Sequence, residues 1–484
     1  VIRGLRSGGE EGEEEARSLA ALVGLLPALL IVAAIALLAG AMRLHDFATV
    51  PGLTDTTDEY SFTWAGMQLL RGHAPAGATA LASAYGGGQD VRLFGLSFHL
   101  VSPWLDHPPL FGLLPGAAEL LSGFRSFVEI SPSVMRLPSV VLGVVTVLLG
   151  YQVARRLLPP TGAVFAAFLL AVEPGLVLLS RPAMPEAALA PLLLLAVLLA
   201  TPAIPETARP GSAGVGPAAD RPPAGAALGA LLAACLLAPL VGLDGVTVPA
   251  AATALLLSRG IRREAWLAAG AGVIGLLLWV AAGLLLDAGA FLRVLGDQLG
   301  GGGGLATALA FITGGLGAGR SWADAWYLFA WVALAYLTGN AKRRHRYRAL
   351  LWPIAIHLVL VVPFLPTAAL DSAGWYRLPT LPLLLIAAAA ALYAAVREGQ
   401  LLVPALGLAT AGVWSLQGFF HPGFRPGAAT VLILLAAGTL PMAVSELRSR
   451  GAFRDAALGI WAVLALVILA GDTLLAWNLG ALSS

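Results

Sequence analysis

Residues 134–157 read VMRLPSVVLGVVTVLLGYQVARRL. Between Arg136 and Arg155 there is no charge, and a helix needs roughly 20 apolar residues to cross a bilayer. Arg155 and Arg156 close the run with the basic flank of a cytoplasmic boundary. Composition extends this reading to the whole chain. Of its 484 residues, 58% are hydrophobic and only 12% charged, against about 25% charged in soluble domains. The expectation is an all-α, polytopic integral membrane protein. The single cysteine, Cys235, excludes an intrachain disulfide and a cysteine-based metal cluster. No basic face with interleaved aromatics points to nucleic acid.

Apolar runs bounded by charge, Pro or Gly suggest about thirteen spans: 18–42, 134–154, 161–180, 184–202, 224–243, 245–258, 265–286, 322–340, 349–366, 377–396, 401–420, 427–445 and 456–477. With the N-terminus inside, 19 of the 29 basic residues fall on the inner side and 16 of the 27 acidic residues on the outer side. This is the sorting expected of a plasma (inner) membrane protein. The threading places the C-terminus outside. It divides the chain into a disordered cytoplasmic tail (1–17), a transmembrane module (18–400) and C-terminal helices (401–484). A large outer loop, 43–133, is expected to carry two amphipathic surface helices, one through Tyr60, Trp64 and Met67 and one over 110–127. The outer stretch 287–321, with glycines at 300–304, reads as a mobile loop, and 202–223 as a linker.

Four polar constellations sit at the outer ends of the spans. Asp58-Glu59 follows the first span. Thr56-x-x-Glu59 fits a capping box, but capping does not account for Asp58, which suits a general base at the membrane face. Asp106-His107-Pro108-Pro109 reads either as a turn opening a helix or as a pair that orients a sugar or metal. Arg181 and Glu186, set among prolines, form either a turn-closing ion pair or an intramembrane functional pair. Tyr376-Arg377, ahead of Pro379, offers either interfacial anchoring or a guanidinium that grips phosphate.

In this order and sidedness the motifs resemble the GT-C superfamily of polytopic glycosyltransferases. The nearest branch looks like the protein O-mannosyltransferase and lipid A aminoarabinose transferase group. The likeness rests on DEY at 58–60, DHPPLFGLL at 106–114, MRLPSVVLGVVTVLLGYQVARRL at 135–157, SRPAMPE at 180–186 and WYRLPTLP at 375–382. It implies Asp58 as the catalytic carboxylate, with Glu59, Asp106, His107 and Glu186 lining the site. It also implies a polyprenyl-phosphate sugar donor entering from the lipid, its phosphate held by Arg377 with or without Arg181, and Tyr376 beside it. One departure is Asp244, where relatives often carry Lys.

The expected activity is transfer of a sugar to an acceptor hydroxyl on a protein, lipid or glycan, with inversion. Metal use is undecided between none and a divalent ion. Two rival classes stand beside it. A transporter or flippase would need polar groups halfway through the bilayer, and a subunit without activity would only bind partners.

Overall fold

The computed structural model describes residues 29–201, 222–223, 225–300, 307, 311–312, 325–365, 374–400, 463 and 466–479. The expected tail at 1–17, most of the linker, the glycines at 301–304 and the apolar runs 401–420 and 427–445 lie outside these residues.

Helices dominate. In chain order they are α1 (Leu29–Leu44), α2 (Asp58–Leu70), α3 (Leu113–Leu121), α4 (Pro132–Leu157), α5 (Pro160–Val172), α6 (Pro174–Leu179), α7 (Glu186–Ala200), α8 (Ala226–Val241), α9 (Thr247–Leu257), α10 (Arg262–Gly300), α11 (Ala325–Thr338), α12 (Ala341–Arg346), α13 (Arg348–Leu360), α14 (Leu381–Glu398) and α15 (Leu466–Trp477). Among the described residues, three helices are long and apolar enough to cross a membrane: Pro132–Leu157, Arg262–Gln298 and Leu381–Glu398.

Local chemistry explains where the helices begin and end. Pro132 opens α4, where a missing N–H costs nothing, and Arg155 and Arg156 occupy its last turn, where cations suit the helix dipole. Leu137, Val141 and Val145, spaced four apart, leave one stripe of α4 exposed. The opposite side packs on α5, α7 and α14. Helix α14 is apolar all round and almost wholly buried, as a central helix must be. Glu173 is a cap: its carboxylate accepts from the amides of Gly175 at 3.0 Å and Leu176 at 2.5 Å to start α6.

The outer loop departs from expectation in three ways. First, the chain is not all-α. Strands β1 (Gly77–Ala78), β2 (Gln89–Leu93) and β3 (Leu96–Val101) form an antiparallel sheet in the order β1-β3-β2. Leu93 pairs with Leu96 across a two-residue turn in which Phe94 and Gly95 both have positive φ, 52° and 78°. That turn matches the right-handed strand twist.

Second, α2 is no surface helix. Residues on all its sides are buried, from Glu59 through Thr63 and from Ala65 to Met67. Third, the stretch after residue 286 is helical as far as Gly300. Asp287 breaks α10 with non-helical angles, and its carboxylate restarts the helix by accepting from the Ala290 amide at 2.9 Å.

Helices α2 and α3 meet backbone to backbone. A Cβ on Gly66 would strike the Gly112 carbonyl, one on Gly112 the Phe62 carbonyl, and one on Gly116 the Met67 amide. Only glycine permits this approach.

Three arginines, Arg43, Arg136 and Arg181, are fully buried. Arg43 donates to Ser180 Oγ at 2.9 Å and to the carbonyls of Leu170 and Ala171 at 3.2 Å each. Arg181 donates to the Met42 carbonyl at 2.9 Å. Arg136 meets the one fully buried carboxylate in this group, Glu59.

Glu119 on α3 has both burial and an unmet bond. One oxygen accepts from the Ser131 amide at 3.1 Å, and the other has no partner. Burial pushes its carboxyl up to about 7, so the fold favours the protonated form. Stability from this group is therefore complete below about pH 4.5 and lost as pH rises through about 7. Glu119→Gln should flatten that decline, gaining on the order of 1–3 kcal/mol over wild type at pH 8. Thermal unfolding of both proteins at pH 5 and pH 8 would measure it. Equal pH dependence in the two would count against this account.

Candidate active site

The carboxylates of the DEY motif part company at the start of α2, because successive residues of a helix point about 100° apart. Glu59 turns inward. Its Oε1 accepts from Arg136 Nη2 at 2.6 Å, and its Oε2 accepts from Arg136 Nε at 2.8 Å and from the Ala183 amide at 2.7 Å. Arg136 spends its remaining donors on the carbonyls of Phe47 and Pro51, at 2.9 Å and 3.0 Å, and on Thr56 Oγ1 at 3.0 Å. The capping box read from Thr56 and Glu59 therefore does not form. Glu59 instead clamps α2, α4 and the turn before α7 together, with no exposure of its own.

Asp58 faces the other way and keeps solvent access, although dense protein surrounds it on the remaining sides. That burial raises its carboxyl above the usual Asp range. The His107 charge opposes the rise, while Asp106 and Glu59 add to it. Asp58 thus stands at the protein surface within electrostatic reach of His107, Asp106 and Glu59.

Asp106 accepts at Oδ1 from the Tyr85 hydroxyl at 2.5 Å, and that same hydroxyl accepts from the Leu105 amide at 2.9 Å. Burial, then the bond to Asp106, drives the Tyr85 phenol well above its ordinary value. The backbone carbonyl of Asp106 accepts from Gln298 Nε2 at 2.6 Å, and Arg293 Nε donates to the Ala84 carbonyl at 2.9 Å. The end of α10 is thereby strapped across the DHPP turn. His107 lies between Phe62 and Trp104, with ring centroids 5.2 and 5.7 Å away.

Glu186, at the first turn of α7, is buried with one carboxylate oxygen unpartnered. It lies within electrostatic reach of Asp58 and Asp244. Asp244, in the short turn at Leu243–Val246, is buried in the same way with its own unpartnered oxygen. Tyr376 completes the group. Burial raises its phenol, and the charges of Glu186, Asp244 and Asp58 add to the effect.

Asp106, His107, Glu186 and Tyr376, from distant parts of the sequence, thus all lie within electrostatic reach of Asp58. Arg377, next to Tyr376, is buried with its guanidinium 4.8 Å from the Tyr327 ring and 5.5 Å from that of Phe311. Arg181 does not join them. Its guanidinium donates to the Met42 carbonyl, and burial lowers its pKa to about 10. Asp244, which the sequence marks only as a departure from the resembled family, stands within electrostatic reach of Glu186 and Tyr376. An acid between two glycines inside an apolar run was the available signal. Among the described residues, no group of three or more His, Cys, Asp or Glu side chains stands ready to hold a metal ion.

Residues 106–211 match the dolichyl-phosphate-mannose-protein mannosyltransferase family. This segment holds the DHPP turn, α4 and α7. No sequence match was found among curated proteins. Two solved structures share the fold: ArnT from Cupriavidus metallidurans in the apo state and the same protein bound to undecaprenyl phosphate. Their TM-scores are 0.54 and 0.55, each at 17% identity over 95% of this chain and 78% of that one. The resemblance drawn from the motifs is thus met by a sequence match over residues 106–211 and by a likeness of fold over 95% of the chain.

Proposed function

We propose that this chain is a membrane-embedded glycosyltransferase that moves a sugar from a polyprenyl-phosphate donor to an acceptor hydroxyl at the outer face of the membrane. The observation that carries the reading is that Asp58 lies within electrostatic reach of His107, Glu186 and Tyr376, with Asp244 in reach of the last two. The mannosyltransferase match supports it, as does the undecaprenyl phosphate bound by ArnT. The thirteen-span threading belongs to the same reading, with the N-terminus inside, the C-terminus outside and Asp58 facing outward. So does the inner-membrane location.

In the reaction, the acceptor oxygen attacks C1 of the sugar and the bond from C1 to the phosphate oxygen breaks. The polyprenyl phosphate leaves as a stable anion. Asp58 takes the acceptor proton, which raises the nucleophilicity of the oxygen as the bond forms. One displacement inverts the configuration at C1, as in an inverting glycosidase with the acceptor in place of water. Arg377 would hold the donor phosphate, since fixed charge placed where negative charge gathers is often the largest catalytic contribution. Glu59 positions Asp58 through its clamp on Arg136.

Mass spectrometry of lipid co-purified with the protein tests the donor, and reconstitution with that lipid tests transfer. A polyprenyl phosphate or its glycosylated form is expected, together with a new glycosidic product. Translocation of the lipid across vesicles with no new glycosidic bond would favour the transporter class instead.

A further inference from the structure

The segment WYRLP contains a backbone problem. The Tyr376 carbonyl would find its turn partner three residues on, at Pro379, which has no N–H. The next amide, of Thr380, is already given to the Arg377 carbonyl at 3.1 Å. A buried carbonyl left without a donor is costly. The missing donor comes from another helix: His357 on α13 reaches the Tyr376 carbonyl with Nε2 at 2.9 Å.

A carbonyl only accepts, so Nε2 carries the proton. In the neutral ring Nδ1 is then the acceptor, and it faces Thr247 Oγ1 at 3.0 Å. Thr247 opens α9, three residues after Asp244. Both His357 and Thr247 are fully buried. The Phe311 ring, which touches Arg377, also lies 6.1 Å from the His357 ring.

We propose that His357 is a positioning residue for the lipid-phosphate end of the site. It ties the turn that carries Tyr376 and Arg377 to the start of α9, and so to the turn that holds Asp244. The inference rests on the reading of Arg377 as the phosphate-holding group. His357 touches neither sugar nor acceptor; it acts through the backbone of Tyr376.

Two variants separate the two bonds of the ring. His357→Gln keeps a donor near the position of Nε2, and His357→Asn keeps a polar nitrogen only near Nδ1. In His357→Asn, the Kd for undecaprenyl phosphate and the KM for the lipid-linked donor should rise about tenfold, the equivalent of one lost buried hydrogen bond. Its kcat should change less. His357→Gln should recover most of the binding, with the two variants melting at similar temperatures. Equal Kd in wild type and both variants would overturn the proposal, as would losses that follow melting temperature alone. Wild-type protein that neither binds undecaprenyl phosphate nor transfers sugar would instead sink the proposed function, and this inference with it.

Discussion

Replacing Asp58 with Asn should abolish sugar transfer, lowering kcat by roughly 10²–10⁴-fold, while the protein stays folded. Asn matches Asp in size but cannot take the acceptor proton. The fold holds Asp58 by the position of α2, whose buried carboxylate link runs through Glu59 instead. The pH dependence carries a second signature. A base works in its ionised form, and burial raises the Asp58 pKa above 3.8. Transfer should therefore fail on acidification at a pH above that of an ordinary aspartate. A profile of kcat/KM against pH would place the acidic limb. Substantial turnover in Asp58→Asn would remove this residue from the mechanism.

The second large effect concerns Arg136. Arg136→Met leaves Glu59 charged, buried and stripped of its counter-ion, and breaking a buried pair in this way costs about 3–5 kcal/mol. That is a large part of the 5–15 kcal/mol typical of a folded domain. The variant should lose most of its folded population on thermal unfolding in detergent. Substituting Leu at both positions removes both charges and should recover much of the loss, because the penalty lies in the unpaired partner. This experiment also separates the two carboxylates of the DEY motif. If Glu59 took part in chemistry, Glu59→Gln would lower kcat at an unchanged melting temperature. A fall in melting temperature is the outcome expected from its three short contacts.

How much of this was legible in the sequence depends on the range of the interaction. Hydropathy and flanking charge are local, so the bundle could be read from runs such as 134–157. The sheet was missed because Phe94-Gly95 is a weaker hairpin signal than Asn-Gly, although Val91, Leu93, Leu96 and Phe98 alternate around it. The surface-helix reading of α2 failed because a helix pressed between α3, α4 and the sheet needs no polar face. Asp58 and Glu59 are adjacent in the chain, and only helix geometry separates the open carboxylate from the clamped one. Arg181 looked like a site residue because a charge between prolines at a span end is unusual. Its partners, the carbonyls of Met42 and Val50, lie more than a hundred residues away. Backbone carbonyls as partners leave no trace in side-chain patterns, and the link from His357 to Tyr376 stayed invisible for that reason.

The glycine contact between α2 and α3 has a mechanical meaning. Asp58 stands at the head of one helix, and Asp106 and His107 lead into the other. With no side chains interposed, nothing at that seam can repack or yield by rotamer hops. Any breathing of the outer segment must carry both helix ends together, so the spacing between the Asp58 carboxylate and the His107 imidazole survives motion that would blur a looser joint.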